Sequence, residues 1–193
     1  MDERTVLDIL DRSGARLEGH FLLSSGRHGS TYMQCGRVFQ HAEYAEKLCR
    51  ALASRYSGID AVAGPALGAV IMAYEVSRHL GCRNIFTERE NGVMTLRRGF
   101  SIRPGERVLV VEDAVTTGGS VREVIEVCRS HGAEVIGVGA LVDRTGGVNP
   151  FDVPFHALIQ VHIPAWTAEE CPLCAEGIPC VKPGSRPVPR ADE

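Results

Sequence analysis

An α/β fold built on a central parallel sheet is predicted by three features of the sequence. From residue 59 onward, short β-branched apolar runs alternate with amphipathic helical stretches, the pattern of strands joined by right-handed crossovers. One run, Arg107 to Val111 (RVLVV), is apolar almost throughout, as a strand buried on both faces must be. Glycines punctuate the places where a strand hands over to a helix or a helix stops.

Taken in order, Val6, Ile9 and Leu10 follow the i, i+3, i+4 spacing of a short amphipathic helix over Thr5 to Leu10, ended near Gly14. Residues Leu17 to Gln34 are broken by Gly19, Ser24-Ser25-Gly26 and His28-Gly29-Ser30, which predicts loops and short strands. From Ala42 to Tyr56, the residues Ala45, Leu48, Leu52 and Tyr56 line one helical face, closed by Ser57-Gly58. A strand over Ile59 to Ala63, a turn at Gly64-Pro65 and a helix over Leu67 to Leu80 come next, with Gly81 as the helix stop. Further strands are expected at Asn84 to Thr87, Arg107 to Val111 and Val135 to Val142, with a helix at Ser120 to Ser130. Phe155 to Ile163 could add one more strand, and beyond Pro164 the chain becomes rich in Pro, Gly and Cys, as an irregular tail would.

The 193 residues suffice for one domain with a sizeable core, and 44% hydrophobic against 23% charged content excludes a disordered chain. A net charge of -3 gives no basic field for nucleic acid or anionic lipid. No apolar run reaches the roughly 18 residues of a membrane span, and Met1-Asp2-Glu3-Arg4 is not the start of a signal peptide. A cytoplasmic protein is therefore expected. Seven cysteines, an odd number, do not suit a secreted disulfide framework; Cys35, Cys49, Cys82 and Cys128 read as small hydrophobes in a reducing compartment.

The segment VLVVEDAVTTGGS carries the chemistry. Ligands of open parallel sheets bind at the carboxyl ends of strands, where this segment places Glu112 and Asp113. Ala114, Val115, Thr116, Thr117, Gly118, Gly119 and Ser120 follow and lead into a helix. Two glycines let the backbone approach an anion, helix-start N–H groups point at it, and Thr116, Thr117 and Ser120 add hydroxyl donors. The adjacent carboxylates would repel a phosphate, so they need a different partner, and ribose hydroxyls fit. The spacing is neither G-x-x-x-x-G-K-[ST] nor G-x-G-x-x-G, which excludes a P-loop and a dinucleotide fingerprint.

On these residues the chain resembles the type I phosphoribosyltransferases, whose motif is an apolar run, two acids and a T-x-G-x-[ST] type of loop. The resemblance implies the type I phosphoribosyltransferase fold, a parallel sheet flanked by helices with a small hood. The hood would fall at about 1–40 and 155–193 and the core at about 41–154, within one domain over 1–193. It further implies that Glu112 and Asp113 hold the ribose 2′- and 3′-hydroxyls of phosphoribosyl pyrophosphate (PRPP), that residues Thr116 to Ser120 cradle its 5′-phosphate, and that Mg²⁺ accompanies PRPP. Glu112 stands where Asp is more usual in the motif. The turn Gly64, Pro65, Ala66, Leu67, Gly68 would offer N–H groups to the pyrophosphate and its Mg²⁺.

The flanks resemble the orotate phosphoribosyltransferase family. His20-Phe21-Leu22-Leu23-Ser24-Ser25-Gly26-Arg27 is similar to its N-terminal signature, with Ser24 where a lysine is usual. Tyr32-Met33-Gln34 falls where that family closes over the pyrimidine, and Asp143-Arg144 where it sets an arginine on orotate. By the resemblance Tyr32, Met33, Thr116 and Arg144 bind orotate, and Arg144 could take its carboxylate bidentately. Glu88 to Phe100 (ERENGVMTLRRGF) falls at the family's mobile catalytic loop, with only Arg89 matching; Arg97 and Arg98 are the substitutes for its missing cations. The implied reaction joins PRPP and orotate into orotidine 5′-phosphate, in pyrimidine biosynthesis, within a homodimer that shares the mobile loop between subunits. A purine or uracil phosphoribosyltransferase, or a regulator that senses PRPP without catalysis, is the alternative.

The tail holds Cys171-Pro172-Leu173-Cys174 and Cys180. Its knuckle-like spacing suggests zinc, with His162 or His156 completing four ligands. Unligated thiols or a redox pair are the other readings. Lys182, Arg186 and Arg190 read as solvated charges.

Overall fold

A computed structural model of the chain describes residues 1–23 and 25–183; Ser24, Arg186 and Arg190 lie outside the described residues. Helix α1 (Glu3–Arg12) is capped by Asp2, whose carboxylate accepts from Thr5 N at 2.8 Å, and it buries Val6, Ile9 and Leu10 as the spacing predicts. Strands β1 (Arg16–Leu22) and β2 (His28–Met33) then form an antiparallel hairpin, more regular than the glycine-broken sequence suggests. A 3-10 turn over Cys35–Gln40 leads into α2 (Ala42–Ala53). Tyr56 lies past the end of α2, yet remains tied to the fold by its hydroxyl, which donates to Val138 O at 2.8 Å.

The core alternation follows as β3 (Ala61–Pro65), α3 (Val70–Leu80), β4 (Arg83–Glu90), β5 (Val93–Leu96), β6 (Arg107–Val115), α4 (Gly119–Ser130), β7 (Glu134–Asp143) and β8 (Phe155–Gln160). Several boundaries differ from expectation, with β4 and β6 longer than the apolar runs and the first strand-to-helix turn displaced. Gly64 and Pro65 belong to β3, and α3 starts at Val70, so the turn occupies residues 66–69. Gly81 ends α3 with φ 67°, a left-handed conformation that a glycine adopts without steric cost. The chain closes with β9 (Ala165–Trp166) and the short α5 (Pro172–Ala175), two elements within the expected irregular tail.

The sheet order is β5-β4-β3-β6-β7-β8, parallel except for the antiparallel β4–β5 edge. Its centre is dry: Ala61, Val62, Ala63, Val108, Leu109, Val110 and Val111 are fully buried. Leu48, Leu52, Met72 and Val76 cover one face, and Val121, Val124, Ile125 and Cys128 the other. Phe155–Gln160, read from sequence with the hood, instead forms the parallel outer edge of this sheet. A second sheet, β1-β2-β9, stands apart from it, built from the segments where the hood is expected. Among the described residues, no helix is long and apolar enough to cross a membrane.

Candidate active site

At the carboxyl end of the sheet a cleft of about 1020 Å³ opens over β3, β6 and β7. The last residues of β6 supply its floor: Glu112, Asp113, Ala114 and Val115 line it, followed by Thr116, Thr117, Gly118, Gly119 and Ser120. Burial pushes the Asp113 carboxyl above its ordinary range, against the lowering effect of a hydrogen bond from Ala114 N. Thr116 and Thr117 are exposed to the cleft. Gly118 turns the chain with φ 73° immediately before α4, and a Cβ there would meet the Phe151 ring at 2.7 Å. The Arg122 guanidinium donates to Thr117 O at 2.8 Å and holds the loop from behind. The result is a cradle of backbone and hydroxyl donors at the start of a twelve-residue helix, with its positive end toward the cleft.

The second strand-to-helix turn faces this one. Pro65, Ala66, Leu67 and Gly68 line the cleft; Gly64 does not. Gly64 is packed beneath, where a Cβ would stand 2.9 Å from Ala69 Cβ and 3.3 Å from Val111 O. Its lack of a side chain thus serves the approach of α3 to the sheet, not contact with a ligand. The Ala66–Leu67 peptide is cis, and Leu67 is 88% exposed. Gly68 runs past Asp113, whose Oδ2 would lie 3.7 Å from a Cβ at that position.

Arg144 closes the side of the cleft beyond β7. Its backbone is fixed by donation to Val115 O at 2.8 Å, while its buried Nε has no hydrogen-bond partner among the described residues. Burial holds the guanidinium below its usual range, offset in part by the neighbouring Cys35 and Tyr32. A half-buried cation with an unmet donor suits a small anion. Tyr32 lines the cleft but Met33 does not: successive residues of β2 point to opposite faces, and Met33 is 6% exposed within the core. Leu23, Ser25, Met94, Val121 and Glu123 also line the cleft and were not anticipated.

Comparison with known proteins agrees with this geometry. The phosphoribosyl transferase domain model matches residues 38–160, which hold both turns and Arg144. The orotate phosphoribosyltransferase of Caldanaerobacter subterraneus is 56% identical over 188 residues, 96% of this chain and 99% of the relative. This chain belongs to the orotate phosphoribosyltransferase family. The orotate phosphoribosyltransferase of Pelotomaculum thermopropionicum is 55% identical over 97% of this chain and its own full length. The crystal structure of the Aeropyrum pernix orotate phosphoribosyltransferase superposes with a TM-score of 0.67 at 28% identity, covering 81% of this chain and 93% of that one.

Where the orotate phosphoribosyltransferase pattern has its mobile loop, this chain builds a hairpin. Strands β4 and β5 pair from Thr87↔Leu96 to Glu90↔Val93, and Asn91 and Gly92 turn between them with φ 52° and 85°. That pair of positive φ values is what an Asn-Gly hairpin turn supplies. Arg89 lines the cleft and is anchored to Glu123 at 2.8 Å and to Gly92 O at 2.7 Å. Arg97 and Arg98 do not line this chain's own cleft. Arg98 forms two 2.9 Å bonds to Glu88, and Arg97 pairs with Glu90 at 3.0 Å. Of the three arginines of this hairpin, then, only Arg89 lines the subunit's own cleft, and the acids of β4 pair with the other two.

The tail cysteines find different partners from those expected. His20 and His28 of the hairpin, with Cys171 and Cys174, bring four ligand atoms within 4.8 Å of one another. Cys180 is exposed and outside that group. His156 is also exposed and stacks edge-on with Tyr56, their ring centroids 5.9 Å apart, while His162 is exposed beyond β8. The structure thus sets His20 and His28, and not the expected His156 or His162, beside Cys171 and Cys174.

Proposed function

We propose that this chain transfers the phosphoribosyl group of PRPP to orotate, giving orotidine 5′-phosphate and pyrophosphate, a step of pyrimidine biosynthesis. The observation that carries the reading is Arg144, a half-buried guanidinium with an unmet donor in the same cleft as the phosphate cradle. Orotate is a pyrimidine with a carboxylate, and a bidentate guanidinium–carboxylate pair would satisfy that donor. Glu112 and Asp113 accept hydrogen bonds from the ribose hydroxyls, and residues 116–120 donate to the 5′-phosphate. Residues 65–68 face the pyrophosphate, and Tyr32 and Thr116 bound the base.

Mg²⁺ accompanies PRPP in this reading. The fold offers it the Asp113 carboxylate beside the Gly68 turn, which suits an ion that keeps its waters and takes phosphate oxygens with one or two carboxylates. When bound it neutralises pyrophosphate charge. The chain's own groups do the rest by positioning and electrostatics. The carboxylates and the cradle hold C1′ in reach of orotate N1, which attacks as the anion, so no general base is required. Arg89 stands ready to offset charge on the departing pyrophosphate. Arg97 or Arg98 would add to it across a homodimer in which the hairpin reaches the neighbouring cleft. Exposed Ile71 and Tyr74, in the first turns of α3, give a second copy an apolar face to pack on. Residues 1–193 act as one domain, in the cytoplasm, with the hood closing over the core and keeping water from C1′.

The test is loss of the orotate absorbance band with purified protein, PRPP and Mg²⁺, run beside adenine, hypoxanthine, xanthine and uracil. Consumption of orotate that requires both PRPP and Mg²⁺ is expected. Consumption of another base alone would overturn the acceptor, and inertness toward all five would indicate a PRPP sensor.

A further inference from the structure

The hood is held to the tail by a set of side chains that the transferase reaction does not use. His20, on β1, is 2% exposed, and its Nδ1 lies 2.7 Å from Ile178 O. A carbonyl only accepts, so that nitrogen carries the proton and Nε2 keeps its lone pair. Nε2 then faces His28 Nδ1 at 2.8 Å, Cys171 Sγ at 3.5 Å and Cys174 Sγ at 3.7 Å. Cys174 Sγ also lies 3.2 Å from His28 Nδ1. Cys171 and Cys174 stand one turn apart around α5, so both sulfurs point the same way. The surrounding backbone fixes the arrangement: Leu22 N donates to Val181 O and Val181 N to His20 O, both at 2.9 Å.

We propose that His20 Nε2, His28 Nδ1, Cys171 Sγ and Cys174 Sγ form a structural zinc site that staples the C-terminal segment to the hood hairpin. Zinc bonds of about 2.0–2.1 Å to nitrogen and 2.3 Å to sulfur, arranged as a tetrahedron, put nitrogen and sulfur about 3.6 Å apart. Three of the four nitrogen–sulfur separations here are 3.5, 3.7 and 3.2 Å, and the fourth lies within 4.8 Å. The two nitrogens, at 2.8 Å, need to part by about half an ångström to reach the tetrahedral edge. Four neutral or anionic soft donors with no fifth position match the closed ligand set of a structural site, and the Ile178 carbonyl is the outer partner that orients His20. The same hairpin carries Leu23, Ser25 and Tyr32 to the cleft. The metal therefore sets the rigidity of the hood from a place outside the chemistry.

Full-length protein without a histidine tag, purified from zinc-supplemented cells, would be analysed for metal after dialysis against a mild chelator. About one zinc per chain is expected, falling below about a tenth in Cys174→Ser and His28→Gln, while Cys180→Ser keeps it. Because those variants could fold poorly, stripped native protein titrated with cobalt is the second measurement. It should show the intense visible bands of tetrahedral thiolate-bound cobalt, reversed by zinc, and a melting temperature that rises on reloading. Native protein with less than about a tenth of a zinc per chain and no cobalt bands would overturn the proposal, as would a Cys171–Cys174 disulfide by mass spectrometry.

Discussion

At its first residues β6 is bracketed by charges that answer one another, whereas near its last residues burial works against the ionised form of Asp113. Glu106, 8% exposed, accepts from Arg103 N at 2.9 Å and from the Arg83 guanidinium. Next to it, Arg107 N donates to Asp60 at 2.8 Å and its Nε to Gly58 O at 2.7 Å. The bonds from Arg103 and Arg83 hold the Glu106 carboxyl below its ordinary range although burial acts the other way. Seven residues after Glu106, near the other end of the strand, burial prevails at Asp113, and the nearby Arg144 keeps an unmet Nε. One strand thus ends in a settled network on one side and in an electrostatically strained cleft on the other. Groups that cost stability in the unliganded protein are the ones a ligand can satisfy.

That contrast can be sharpened by substitution at both ends. The largest effect is expected at Asp113→Asn, which should lower turnover by about a hundredfold or more through loss of ribose positioning, yet raise the urea midpoint at pH 7. The sign follows from linkage. A folded-state carboxyl raised above its usual 3.8 takes stability away as pH climbs through and above that value. The advantage of Asp113→Asn should therefore vanish below pH 3.8, and a midpoint lowered at pH 7 would contradict the strain assigned to this end. At the other end, Arg83→Ala should cost about 1–3 kcal/mol in urea melts by leaving a buried carboxylate short of a partner. Its kcat/KM should match the parent. The Glu106 contribution runs opposite to that of Asp113: its lowered carboxyl stabilises above the ordinary value of 4.5 and loses that effect as pH falls. The smallest effect on stability is expected at Arg98→Ala, since an exposed pair with Glu88 contributes little. An unmoved midpoint with reduced turnover would mark Arg98 as the cation donated across the dimer; unchanged turnover would remove it from the mechanism.

The satisfied and strained ends also differ in how far sequence could reveal them. The cradle from Glu112 to Ser120 was legible because strand, acids, glycines and helix start are contiguous, so local rules suffice. The hairpin at Asn91-Gly92 was missed although an Asn-Gly pair between alternating residues is a strong turn signal; the loop resemblance hid it. Met33 was misplaced beside Tyr32 for want of strand alternation, which lets only one of two neighbours face the cleft. The partners of Cys171 and Cys174 were out of reach in a different sense. His20 lies 151 residues before Cys171, and spacing cannot report a contact made only by docking the tail on the hood. Gly64 shows a third limit: its turn was recognised, but whether a glycine admits a ligand or a neighbouring helix is decided by packing.

Arg144 tests the central claim most directly, that its half-buried guanidinium at the carboxyl end of the sheet selects the acceptor. The measurement is kcat/KM for orotate and for uracil, which lacks the carboxylate, in the parent and in Arg144→Ala. A parent preference for orotate that falls by about 10²–10³ in the variant, almost wholly through the orotate value and with KM for PRPP unchanged, is the predicted result. A preference that survives the substitution would mean that another group reads the carboxylate.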